Sequence, residues 1–173
     1  MTDTPSPTGP TPPGPDPEDI LATCRAKGLK IATAESCTGG MVAAALTDIP
    51  GASDVFERGA VTYSNAAKRE MLGVRAETLA AHGAVSEEVA REMAGGLRAR
   101  APVDIAVAIT GIAGPGGSEH KPEGRVCFGL ATRDGVITET VEFGALGRAR
   151  VRAAATAHAL GLLADAADAL PLG

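Results

Sequence analysis

The chain has 173 residues, enough for one domain with a substantial core, and 45 % of them are hydrophobic while only 2 % are aromatic. The core is therefore expected to be aliphatic and alanine-rich, which suits helices packed on a parallel sheet. A formal net charge of −5 and the absence of tryptophan supply neither a polyanion-binding face nor a base-stacking platform, so no nucleic-acid partner is expected.

Residues 1–17, MTDTPSPTGPTPPGPDP, alternate proline with small polar residues and hold nothing that could join a core. This stretch is expected to be a disordered tail, with a docking peptide for a proline-binding partner as the alternative. The folded domain is expected over 18–173. Apolar patterning predicts a helix over Glu18 to Lys27, a strand over Leu29 to Ala34, the turn AESCTGG, and a helix from Met41 to Leu46. A second strand is expected over Gly59 to Tyr63, then helices over Asn65 to Leu72, Ala76 to His82 and Ser86 to Arg100. Ser86 supplies an N-cap to the last of these, and Glu87 and Glu88 an acidic first turn. Val103 to Ile109 reads as a central buried strand, followed by the loop TGIAGPGG. Arg125 to Thr132 and Val136 to Phe143 form a hairpin across Arg133-Asp134-Gly135, and a last helix runs from about Gly147 to Ala169. The alternation predicts an α/β fold, a mixed and mostly parallel sheet with helices on both faces and an antiparallel hairpin in the C-terminal half.

Three cysteines, Cys24, Cys37 and Cys127, odd in number, widely spaced and without a CxxC pair, suggest neither a disulfide framework nor a thiolate metal site. No acidic or histidine grouping has metal-ligand spacing. No apolar run approaches the roughly 18 residues of a membrane span, and no signal peptide opens the chain, so a cytoplasmic protein without a membrane partner is expected.

Four motifs hold the residues able to carry chemistry. In AESCTGG, Ser36 places a hydroxyl at a strand's end, and Thr38, Gly39 and Gly40 open a helix whose amides could face an anion or oxyanion. The plainer reading is a helix cap with a tight turn, since the motif is neither GxSxG nor GxxxxGK[ST]. In VTYSNAAK, the single tyrosine, Tyr63, ends a strand, and Ser64 or Asn65 can cap the helix that carries Lys68. A cation there faces the positive end of the helix dipole, which together with burial favours the neutral amine and makes Lys68 a usable base; the alternative is a solvated surface lysine. The loop TGIAGPGG can approach a ligand closely, with Thr110 and Gly111 at the strand tip. Arg148 and Arg152 share one face of the last helix and could receive a phosphate, or be simply solvated. Cys37 competes with Ser36 as nucleophile, but His82, His120 and His158 lie in no recognisable partner motif.

TAESCTGG, VTYSNAAKREMLGV, HGAVSEEVA and AITGIAGPGG, in this order, closely resemble the CinA carboxy-terminal domain family, over nearly everything from Glu18 to Leu163. The resemblance implies a three-layer α/β/α fold and hydrolysis of the carboxamide of nicotinamide mononucleotide to nicotinate mononucleotide and ammonia, without metal or other cofactor. It implies a serine nucleophile assisted by lysine and tyrosine, here Ser36, Lys68 and Tyr63. Thr38, Gly39, Gly40, Asn65, Thr110, Gly111 and Arg148 are the expected substrate contacts. The family commonly has Gly-Asp-Arg where this chain has Leu146-Gly147-Arg148. Larger CinA proteins carry an amino-terminal domain resembling molybdopterin-binding folds, whose activity is not expected here. A homo-oligomer, in the form of a dimer, is expected. The rival expectation is a regulatory module that binds a nucleotide or phosphate without turnover, in which Ser36 only caps.

Overall fold

A computed structural model describes residues 13–118 and 120–172, so most of the proline-rich segment lies outside the described residues. Helix α1 (Pro17–Lys27) is capped by Asp16, whose side chain accepts the Glu18 N–H at 2.9 Å, and it stops at Gly28 in the left-handed region, φ 68°. The remaining elements are β1 (Ile31–Glu35), α2 (Met41–Thr47), β2 (Phe56–Val61), α3 (Asn65–Leu72), α4 (Ala76–His82), α5 (Glu87–Arg100), β3 (Ile105–Gly111), β4 (Arg125–Thr132), β5 (Gly135–Glu142) and α6 (Arg148–Ala169). A short 3-10 turn at Ala52–Asp54, not foreseen from the pattern, joins α2 to β2.

The five strands form one sheet in the order β2-β1-β3-β4-β5. β1 pairs parallel with both β2 and β3, while β4 pairs antiparallel with β3 and with β5. The sheet is mixed as expected, but its pairings divide evenly rather than leaning to parallel, because β4 returns directly alongside β3 before the hairpin closes. Helices α1, α2 and α6 cover one face and α3, α4 and α5 the other.

Side-chain alternation sorts the core between these layers. Ile31 on β1 and Ile105, Val107 and Ile109 on β3 join α1, α2 and α6 through residues such as Leu21, Val42 and Leu163. Ala32, Ala34, Ala106 and Ala108 face the opposite way, against Leu72 of α3 and Val89, Met93 and Leu97 of α5. Small residues on that face let α5 lie close: a methyl added at Gly129 would meet Ala90 O at 2.4 Å, and one at Gly96 would meet Leu72 O at 1.8 Å. No helix among the described residues is long and apolar enough to cross a membrane.

Candidate functional site

The parallel strands end where the chain changes side: from β1 it crosses through α2 to β2, and from β2 through α3, α4 and α5 to β3, which lies on the other side of β1. A crevice beyond the carboxyl ends of such strands is the usual ligand position of an open α/β sheet. Here it is a cleft of about 340 Å³, lined by Ser36 and Cys37 after β1, Tyr63, Asn65 and Lys68 around the start of α3, Thr110 to Ser118 at the end of β3 and in the loop beyond it, and Arg148.

Ser36 continues the alternation that turns Ala32 and Ala34 toward α3 and α5. Its N–H is anchored on Ile109 O at 2.9 Å, and its Oγ lies 2.9 Å from Lys68 Nζ. Lys68 reaches this point because Ser64 caps α3 through the Ala67 N–H, at 3.0 Å, and Lys68 and Leu72, one turn apart, share the buried face of α3. Only 1 % of Lys68 is exposed, and its amine donates a second hydrogen bond to Thr62 O at 2.8 Å. Among the described residues no carboxylate forms an ion pair with it. Burial therefore lowers the lysine pKa below its ordinary 10.5, with Cys37 acting in the opposite sense. A neutral amine has one lone pair left after its contact with Thr62 O, and the Ser36 hydroxyl is in place to donate to it.

Cys37 also lines the cleft, but burial pushes its thiol up to about 11, against the lowering effect of its own backbone amide. It is held protonated at neutral pH and is the poorer nucleophile of the two neighbours.

The other residues singled out from the sequence divide in two. Tyr63, Asn65, Thr110, Gly111 and Arg148 line the cleft, whereas Thr38, Gly39 and Gly40 do not. Thr38 is fully buried and gives its hydroxyl proton to Glu35 Oε1 at 2.7 Å. The same carboxylate takes the Val42 N–H at 2.9 Å and the Ala43 N–H at 3.1 Å, so the opening amides of α2 are satisfied from within. Glu35 escaped the sequence reading, although an acid closing an apolar strand just before a helix start is a recognisable signal. Thr110 spends its hydroxyl on Ala84 O at 2.8 Å and so forms wall rather than donor. Tyr63 is 61 % exposed, and its Oη accepts from Arg148 Nη2 at 2.7 Å, while Arg148 Nη1 holds Gly114 O at 2.8 Å. Arg148 thus bridges the two rims. The glycine loop is braced by Glu123, which accepts the Gly116 N–H at 2.7 Å.

A larger cavity of about 550 Å³ adjoins the cleft at Val85 but includes neither Ser36 nor Lys68. Its charged side chains are largely held by other groups of the protein: Arg125 by Glu142 at 2.6 Å, Glu87 by the Thr138 and Thr140 hydroxyls at 2.8 Å, and Lys121 by the carbonyls of His82 and Val85 at 2.6 Å. Among the described residues no group of three or more His, Cys, Asp or Glu side chains could hold a metal ion.

Comparison with known proteins agrees with this architecture. A CinA-like protein of Chloroherpeton thalassium is 61 % identical over 116 residues, which are 66 % of this chain but 28 % of that longer protein. The nicotinamide-nucleotide amidohydrolase PncC of Escherichia coli is 55 % identical over 144 residues, 83 % of this chain and 87 % of PncC. The crystal structure of the competence/damage inducible protein CihA from Agrobacterium tumefaciens superposes with a TM-score of 0.81 at 43 % identity, covering 97 % of this chain and 99 % of that one. Residues 16–167 match the CinA C-terminal domain, and the chain belongs to that family.

Proposed function

We propose that this protein is an amidohydrolase that converts nicotinamide mononucleotide to nicotinate mononucleotide and ammonia, with 18–173 as the amidase domain. The observation that carries the reading is the buried Lys68 Nζ at 2.9 Å from Ser36 Oγ, without a carboxylate partner among the described residues. The similarity to PncC, over most of both chains, supports the substrate. Ser36 attacks the carboxamide carbon as its proton passes to Lys68, and an amide of the turn after Ser36 receives the oxyanion. Collapse expels ammonia, which takes the proton held on Lys68 either directly or relayed through Tyr63 at the rim, and leaves a nicotinoyl ester on Ser36. Water, deprotonated by Lys68, then cleaves the ester. Arg148 receives the phosphate, exchanging the neutral acceptors Tyr63 Oη and Gly114 O for a charged one. Asn65, Thr110 and Gly111 shape the cleft, whose volume lies within the range of small-molecule sites.

A module that only binds a nucleotide has no use for a lysine buried against a serine, since an uncompensated amine is costly to bury. Ammonia release from nicotinamide mononucleotide, measured with and without chelator, tests the enzyme directly. Turnover that survives the chelator is expected; binding of the nucleotide without ammonia release would favour the regulatory module. We further propose a cytoplasmic homodimer, to be checked by cell fractionation and by light scattering of the purified protein.

A further inference from the structure

Arg152 stands one turn beyond Arg148 on α6, and its charge and spacing group it with Arg148 as a phosphate ligand. Its contacts are different. Arg152 Nε donates to Cys37 O at 3.0 Å and Nη2 reaches Thr38 O at 3.4 Å, and its side chain takes no part in lining the cleft. The turn it grips is held at other points too: Gly39 N–H closes on Ser36 O at 3.0 Å, Ser36 N–H on Ile109 O at 2.9 Å, and Glu35 gathers the Thr38 hydroxyl with the Val42 and Ala43 amides.

A trans peptide is planar, and its C=O and N–H point in opposite directions. The plane between Ser36 and Cys37 is fixed through Ser36 O, and the plane between Cys37 and Thr38 through Cys37 O. The hold on Ser36 O sets the direction of the Cys37 N–H, and the hold of Arg152 on Cys37 O keeps the residue from turning and dragging that first plane with it, so the donor is fixed before any ligand arrives. The other amides of the turn are excluded one by one. Those of Gly39, Met41, Val42, Ala43 and Ala44 have oxygen acceptors. Thr38 is fully buried, Gly40 packs toward Val61, and neither lines the cleft. Cys37 lines it next to Ser36, and its N–H, which meets its own thiol, has no oxygen acceptor among the described residues.

We propose that the Cys37 N–H is the donor that receives the carboxamide oxygen, and that Arg152 is the positioning residue that holds this donor in place. The assignment rests on the amidohydrolase reading for its substrate. As the bond from Ser36 Oγ to the carboxamide carbon forms, the hydroxyl proton moves to Lys68 Nζ, the π pair moves onto oxygen, and the Cys37 N–H stabilises that charge. A donor fixed beforehand needs no reorganisation at the moment of reaction.

The test compares Arg152→Ala and Arg152→Lys with the parent enzyme, lysine keeping the charge without a fork that spans two carbonyls. Loss of one oxyanion donor lowers kcat about 100-fold or more. That loss is expected in both variants, with KM for nicotinamide mononucleotide unchanged and with nicotinamide riboside penalised by the same factor. A rise in KM confined to the nucleotide would make Arg152 a phosphate ligand and overturn the proposal, as would an unchanged kcat. A fluorophosphonate probe separates this inference from the choice of substrate, because it bonds to a reactive serine with loss of fluoride through a similar anionic oxygen. Labelling of Ser36, read by mass spectrometry per folded molecule, should slow in Arg152→Lys by a factor similar to that in kcat. Equal labelling rates would sink the proposal even if Arg152→Ala fails to fold. Slowed labelling in a protein whose parent releases no ammonia would sink the substrate assignment alone.

Discussion

Lys68→Met keeps an unbranched stem in a slot that is only 1 % exposed and deletes the amine 2.9 Å from Ser36 Oγ. A positioned general base contributes roughly 10²- to 10⁴-fold in rate. At about 1.36 kcal/mol per tenfold, this is about 3 to 5 kcal/mol of barrier. kcat should fall by that factor while KM changes little, the pattern of an interaction made in the transition state. Thr62 O and Ser36 Oγ each lose a buried partner, at about 1–3 kcal/mol per group. The same substitution removes the cost of burying an amine, so the two effects oppose and the variant should fold. The parent enzyme carries the pH test. Lys68 acts only when deprotonated, so its rate should rise with pH and level off below the ordinary lysine value of 10.5. Folding favours the neutral amine, so Lys68 reduces stability as pH falls from 10.5 through its folded pKa, and Lys68→Met should lose this dependence. Single-turnover ammonia release and thermal melts, both followed from neutral to alkaline pH, measure the two effects. A flat rate profile with chemistry limiting, or parental turnover in Lys68→Met, would refute Lys68 as the base.

Ser36→Ala should abolish ammonia release while leaving nucleotide binding, measured by calorimetry, largely intact; Cys37→Ala should cost far less, because its thiol, pushed up to about 11, is not the nucleophile. The reverse outcome would move the nucleophile to Cys37. Arg148→Ala should weaken the nucleotide by about tenfold or more, the worth of a charge-assisted pair, and leave the poor substrate nicotinamide riboside almost unaffected. Equal penalties on both substrates would place the phosphate elsewhere. Gly96→Ala would set a methyl 1.8 Å from Leu72 O, so α3 must shift away from α5. A loss of about 1–3 kcal/mol, read in a chemical melt, is expected together with reduced turnover, since α3 carries Lys68.

Local signals made several elements legible from the residues alone. The bounds of α3, α4 and β4 coincide with those expected, because Ser64 caps α3, Gly73 and Gly83 follow the two helices, and a tight turn ends β4. The sequence pattern predicts β2 over 59–63, whereas the strand lies at Phe56–Val61; as an edge strand with most of its side chains exposed, it lacks the apolar alternation that marks a covered one. Ser36 and Lys68 could each be singled out from their own surroundings, but burial, rather than the helix dipole, is the leading cause of the lysine's shift. What the sequence hid are contacts across long separations: Tyr63 with Arg148 across 85 positions, and Arg152 with Cys37 across 115. Neither partner carries a local mark of the other. Thr38 shows a different limit, since a hydroxyl beside a nucleophile looks like a ligand contact until Glu35 is seen to accept its proton.

The alanines on the α5 side of the sheet, Ala32, Ala34, Ala106 and Ala108, do not line the cleft, yet they pack beneath the helix that carries Lys68 and so bear on how deeply it is buried. They make that layer thin. Lys68, on the helix packed over this layer, is 1 % exposed even though it lines the cleft, and that burial lowers its pKa below the ordinary value. Bulkier side chains at these positions would lift α3 and α5, admit solvent beside Lys68 and raise its pKa back toward the ordinary 10.5, with Ser36 still present but less readily activated. An acid–base property of one residue is in this way written into the size of residues that never meet the substrate.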